Sequence, residues 1–199
     1  TRRVALPFIG FITHIVCGAW LRTSFTSGID TSYGKVMSGD EGEDRSMVEH
    51  GVDPHGYLDF VHDVDMTLLQ PCDRLRACIE ALPGRKLIFT NADAPYAERV
   101  LAARGLEGLF EDVFDIHRME HKPKPAMDSY HALCGQLGID PAAALFVEDS
   151  AHNLEPAKAL GMTTVWINHS ADAEAGDNRP QFVDHEIQDV AHWLAAGKD

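Results

Sequence analysis

At 199 residues, 45% hydrophobic and 24% charged, the chain has the composition of one good-sized globular domain and not of a disordered segment. A formal net charge of −14 excludes a nucleic-acid polymer or an anionic membrane surface as partner, because nothing in bulk neutralises phosphates. An acidic chain that handles a phosphate ester needs a local cation, and a bound metal with a well-placed lysine is the usual means.

The first forty-five residues are weakly periodic, rich in Ser, Thr and Gly, and hold no carboxylate before Asp30. Val4–Leu21 (VALPFIGFITHIVCGAWL) is an almost uncharged apolar run behind Arg2 and Arg3, near the lower length limit for a membrane span or a signal segment. Pro7, Gly10, Thr13 and His14 weaken a span, and no A-x-A cleavage pattern follows. Buried core is therefore favoured over a targeting segment, and no membrane partner is expected. SGDEGEDRS (38–46) closes this region as an exposed loop.

From residue 47 the pattern becomes regular. Tyr57, Phe60, Val61 and Val64 recur at helical spacing, and so do Leu75, Cys78, Ile79 and Leu82, where Pro83-Gly84 stops the helix. KLIF (86–89) reads as a short buried strand. DAPYAERVLAARG reads as a helix with Asp93 as N-cap and Gly105 as its stop. DVFDI (112–116) is a second strand, AMDSYHALCGQLG a helix ending at Gly138, and ALFVE (144–148) a third strand. NLEPAKALG is a short helix, TTVWI (163–167) a fourth strand, and a final helix carries Ile187, Val190 and Leu194. Strands alternating with helices predict parallel βαβ units and a three-layer, Rossmann-like α/β fold. Ligands in such sheets sit beyond the carboxyl ends of the strands, here after Phe89, Ile116, Val147 and Ile167. Cys17, Cys72, Cys78 and Cys134 show no C-x-x-C spacing, and free thiols in a reducing cytoplasm are the expectation.

Three of those strand ends carry chemistry. Thr90 and Asn91 offer a hydroxyl and an amide ahead of a helix, suited to a phosphoryl oxygen or simply to capping the next helix. Glu148-Asp149-Ser150, with Asn153 following, sets two adjacent carboxylates at a buried strand end. They repel each other unless a cation intervenes, and Mg2+ suits such a site. Between them, HKPKPAMDSY pins Lys122 and Lys124 in a Pro-rich turn, where a fixed ammonium can neutralise a transferring phosphoryl group.

In order, strand-TN, K-P-x-P and strand-EDS-x-x-N resemble the second, third and fourth motifs of the haloacid dehalogenase-like hydrolase superfamily. The stretches EHGVDPHGYLDFVHDVD, LPGRKLIFTN, APYAERVLAARGL, PKPAMDSY and FVEDSAHNLEPAKALGMTTV, within residues 47–168, look more closely like its pyrimidine 5′-nucleotidase branch. The resemblance implies a Mg2+-dependent phosphomonoesterase of a small soluble ester, such as a pyrimidine nucleoside 5′-monophosphate. It further implies Thr90 and Asn91 as phosphoryl ligands, Lys124 rather than Lys122 as the neutralising cation, Glu148 and Asp149 as Mg2+ ligands, and Asn153 as support. It implies a core at 1–19 and 71–199 and a small helical cap at 20–70.

The family also implies an aspartate nucleophile, with a second aspartate two residues on, after a first, central strand near the N-terminus. Here that region holds no acid. Asp63 and Asp65, in HDVDMTLLQP, spell such a loop, but helical spacing precedes them. Read as a strand, the stretch would bury Asp59 and His62 without obvious partners. The end of the cap is the favoured reading, with Asp63 kept as a candidate nucleophile. A non-catalytic relative, binding phosphate or nucleotide without turnover, is the alternative, in which VALPFIGFI supplies a central strand without its acid.

Overall fold

The computed structural model describes residues 8–10, 65–168 and 179–197. Within them, strand β1 (Phe8–Gly10), helix α1 (Asp73–Glu80), strand β2 (Lys86–Phe89), helix α2 (Ala94–Ala103) and strand β3 (Asp112–Phe114) come first. Helix α3 (Met127–Leu137), strand β4 (Leu145–Glu148), helix α4 (Ala151–Ala159), strands β5 (Thr163–Ile167) and β6 (His185–Ile187) and helix α5 (Val190–Ala196) complete the order. The six strands form one parallel sheet in the order β3-β2-β1-β4-β5-β6. Phe8–Gly10 therefore fills the centre, between β2 and β4, and the segment expected as buried core contributes a strand there. The predicted 54–64 helix, Asp63, and the cap except for residues 65–70 fall outside the described residues.

The strands are apolar on both faces because both are covered. Ile88, Val147, Val165 and Ile167 face one core with Leu75 and Ile79 of α1, Val100 and Leu101 of α2, and Val190 and Ala191 of α5. Leu87, Phe89, Phe114 and Phe146 face the other with Tyr130 and Leu133 of α3 and Leu154 and Ala157 of α4. Each fully buried side chain of this size contributes roughly 1.5–3 kcal/mol.

Local chemistry sets the boundaries. The Asp93 carboxylate accepts from the Tyr96 N–H at 3.0 Å and starts α2. Gly138 ends α3 in the left-handed conformation, φ 62°. Three expectations need correction. The 112–116 strand ends at Phe114, because Asp115 turns the chain by accepting from the N–H groups of Ala94 and Arg118. The helix read from Asn153 begins two residues earlier, at Ala151. Ile187 belongs to β6, pairing with Ile167, and the last helix starts only after Asp189 caps it. Among the described residues no helix is long and apolar enough to cross a membrane.

Candidate functional site

The register of the central strand brings the site together. Gly10 pairs with Ile88 on one side and Val147 on the other, so β2 and β4 end at the same level across β1. Thr90 and Asn91 leave one of these ends, Asp149 and Ser150 the other, and Lys124 reaches in from the loop between β3 and α3.

Lys124 is the centre of the arrangement. Its ammonium donates to the Phe89 carbonyl at 2.9 Å and to Glu148 Oε2 at 2.8 Å. It lies 4.9 Å from the centre of the Phe89 ring and 5.5 Å from that of Phe146, within cation–π range. Burial pushes its pKa below the ordinary lysine value, against the opposing pull of Glu148 and, less strongly, Asp149. Lys122 is instead an exposed partner of Asp128 at 2.7 Å.

Glu148 and Asp149 are adjacent in sequence but differ in circumstance. Glu148 has no solvent exposure. Its Oε1 accepts from the N–H groups of Asp149 and Ser150, both at 3.1 Å, and its Oε2 accepts from Lys124. Burial, only partly offset by Lys124, raises its pKa to about 7. Both its oxygens thus accept hydrogen bonds from within the site. Asp149 is partly exposed, and its carbonyl accepts from the Trp166 indole N–H at 2.8 Å. Among the described residues no group of three or more His, Cys, Asp or Glu could hold a metal ion. Mg2+ needs only one or two carboxylates with phosphate and water, and the partly exposed Asp149 has the chemistry to supply one.

Thr90 is buried; its Oγ1 accepts from the Ala92 N–H at 3.0 Å, which leaves the hydroxyl hydrogen to donate. The Asn91 amide faces the Lys124 main chain: Oδ1 accepts from its N–H at 2.8 Å and Nδ2 donates to its carbonyl at 3.1 Å. Asn153 is buried on α4, and its carbonyl accepts from the Tyr130 hydroxyl at 2.6 Å. Burial, and then the nearby Glu148 charge, push the Tyr130 phenol above its ordinary pKa. Asp65 is exposed, and its Oδ1 accepts from the Thr67 N–H at 2.9 Å and the Thr67 hydroxyl at 2.7 Å, capping a one-turn 3-10 helix at Met66–Leu68. Asp115, Tyr130 and Trp166 were not singled out from the sequence. Only Asp115 carried a signal, as a polar residue closing a short apolar strand.

The parallel sheet with polar groups gathered at the carboxyl ends of β2 and β4 defines a three-layer α/β domain with its site across the centre. Residues 24–161, well over half of the chain, match the profile of the haloacid dehalogenase-like hydrolases, and the chain belongs to that family. It is 34% identical over 83 residues to a phosphoglycolate phosphatase of Haemophilus influenzae (strain 86-028NP), covering 41% of this chain and 36% of that protein. It is 30% identical over 89 residues to fructose-1-phosphate phosphatase YqaB of Escherichia coli (strain K12), covering 44% and 47%. With an N-acetylmuramic acid 6-phosphate phosphatase of Pseudomonas aeruginosa the match is 28% over 144 residues, covering 67% and 63%. The chain therefore spans less than half the length of the first two of these relatives. Among solved structures, a dehalogenase in an intermediate complex superposes with a TM-score of 0.61 at 14% identity, over 98% of both chains. A family hydrolase from Deinococcus radiodurans R1 with bound phosphate and sodium gives 0.57 at 18% identity, over 98% of this chain and 96% of that one. At these identities the likeness concerns the fold alone.

Proposed function

We propose that the chain is a phosphomonoesterase of small soluble phosphate esters. The observation that carries this reading is the buried Lys124 ammonium, fixed between the Phe89 carbonyl and Glu148 where the ends of β2 and β4 meet. The phosphatase relatives and the haloacid dehalogenase-like fold support it. Lys124 neutralises the charge of the phosphoryl group, and the Thr90 hydroxyl donates to one of its oxygens. Glu148 holds Lys124 in place, Asp149 is the carboxylate toward Mg2+, and Asn153 supports the loop between them. Bound there, Mg2+ would orient the phosphoryl group and offset its charge. A pyrimidine nucleoside 5′-monophosphate is the substrate suggested by the sequence resemblance. The free thiols of Cys72, Cys78 and Cys134 support a reducing, cytoplasmic setting.

A second reading has its own observation. The central strand Phe8–Gly10 runs on in sequence to Phe11, Ile12 and Thr13, and no Asp or Glu occurs before Asp30. In that reading the domain binds phosphate esters without turnover, since no aspartate follows the strand to form a phospho-enzyme.

One experiment separates the two. Purified full-length chain is assayed for inorganic phosphate release, with and without Mg2+, from phosphoglycolate, fructose 1-phosphate, N-acetylmuramic acid 6-phosphate, UMP and CMP. Beryllofluoride binding is measured in parallel. Mg2+-dependent release that is lost in Lys124→Ala and Asp149→Ala supports the enzyme, and its loss in Asp63→Asn but not Asp65→Asn would assign the nucleophile. Phosphate binding without release or beryllofluoride capture supports the second reading. Release that survives both Lys124→Ala and Asp149→Ala overturns the assigned roles.

A further inference from the structure

Lys124 sits between two prolines, Pro123 and Pro125, neither of which has a main-chain N–H. Within 123–125 the N–H of Lys124 is the sole main-chain donor, and the Pro123 carbonyl accepts from the Ala126 N–H at 2.9 Å in a local turn. The N–H and carbonyl of Lys124 itself are left for a side chain that offers an acceptor and a donor at the spacing of one residue's N–H and carbonyl.

Asn91, thirty-three residues away in sequence, does this with both ends of its amide, accepting at 2.8 Å and donating at 3.1 Å. The main-chain partners also fix which end of the amide is oxygen, because an N–H must meet Oδ1 and a carbonyl must meet Nδ2. Asn91 is itself held. Its neighbours are tied to the β3 end by the Thr90 N–H donating to the Phe114 carbonyl at 3.0 Å and the Ile116 N–H donating to the Ala92 carbonyl at 3.2 Å. Asp115 pins the start of α2, accepting from the Ala94 N–H at 3.1 Å.

We infer that Asn91 is a positioning residue that clamps the Lys124 main chain, so that the ammonium meets Phe89 and Glu148, and that its side chain is not a ligand of the phosphoryl group. The catalytic consequence rests on the proposed role of Lys124; the clamp itself rests on the geometry of the amide alone.

The test uses the folded full-length chain and a readout independent of turnover. An amine-reactive reagent is applied, and labelling of Lys124 is measured by mass spectrometry against Lys122, whose side chain is 53% exposed. Lys124 is protected in the wild type. Asn91→Ala removes both bonds and raises its relative labelling at least about fivefold, the effect expected for two lost hydrogen bonds. Asn91→Asp keeps the acceptor, loses the donor and gives an intermediate rise, which provides a second variant should Asn91→Ala fail to fold. If the chain hydrolyses a phosphate ester, both variants lower kcat with KM within about twofold of wild type. Wild-type protection of Lys124 in both variants overturns the clamp. So does a rise in KM or in the Kd for inorganic phosphate without any change in labelling, because that is the signature of a direct phosphoryl ligand. A chain without activity still gives the labelling result, so failure of the functional reading stays distinct from failure of the clamp.

Discussion

Lys124 and Glu148 form an ion pair of 2.8 Å in which neither side chain is exposed to solvent. Two charges so placed lose their hydration and depend on each other, so removing one strands the other. Lys124→Met should lower stability by about 3–5 kcal/mol. The double variant Lys124→Met/Glu148→Gln should recover most of that, since the glutamine oxygen can keep the Asp149 and Ser150 N–H groups while no charge is left buried. Chemical denaturation of the single and double variants checks the order. A double variant no more stable than the single would mean that the ion pair is not the source of the loss.

The raised pKa of Glu148 makes a pH prediction with a definite sign. Its value moves from an ordinary 4.5 to about 7 because burial disfavours the carboxylate. The folded state therefore binds this proton more tightly than the unfolded chain does. That stabilising contribution is full below about pH 4.5 and is lost as pH rises through about 7. Compared with Glu148→Gln, wild type should lose roughly 3 kcal/mol across this window, at ~1.4 kcal/mol per pH unit. Melting curves of both proteins from pH 4.5 to 8 measure the difference. A gap that stays constant across the range would refute the shift.

Trp166 reaches from β5 to hold the Asp149 carbonyl at 2.8 Å. Trp166→Phe keeps the ring and drops the donor, at a cost of about 1 kcal/mol. If Asp149 is the Mg2+ ligand proposed above, calorimetric titration with Mg2+ shows weaker binding in this variant, because the loop that aims Asp149 is loosened. Unchanged Mg2+ affinity alongside the lower stability would separate Trp166 from the metal site.

Asp115 is buried and accepts from the Arg118 and Ala94 N–H groups at 3.0 and 3.1 Å. Asp115→Ala leaves two donors without their partner and should cost about 1–3 kcal/mol in a urea titration. Because one of those donors opens α2, hydrogen exchange should quicken at Ala94 before it does in β2.

What the sequence disclosed follows the range of the interactions involved. KLIF and TTVWI stand in the fold with the bounds read from their composition, because a short apolar β-branched or aromatic run between turn signals is a local property. Ile187 was misplaced because HEI is too short to show a period and sits two residues from a real helical stripe. At the site, the strand-end rule located Thr90, Glu148 and Asp149, but not what each side chain does. The sequence sets Glu148 beside Asp149, and only the fold shows that Glu148 also pairs with a lysine twenty-four residues earlier. The Asn91 amide bonds a main chain thirty-three residues away, and no local pattern in the sequence encodes such a partner.

The position of β1 has a consequence for how the molecule is made. Phe8–Gly10 is synthesised before either of its neighbours, β2 and β4, which emerge only after residues 89 and 148. Closing the segment 11–85 onto β2 carries a chain-entropy cost of about 4 kcal/mol before any ladder rewards it. On the ribosome, β1 therefore gains both its neighbours only once β4 has emerged, and the centre of the sheet depends on pairings that span most of the chain.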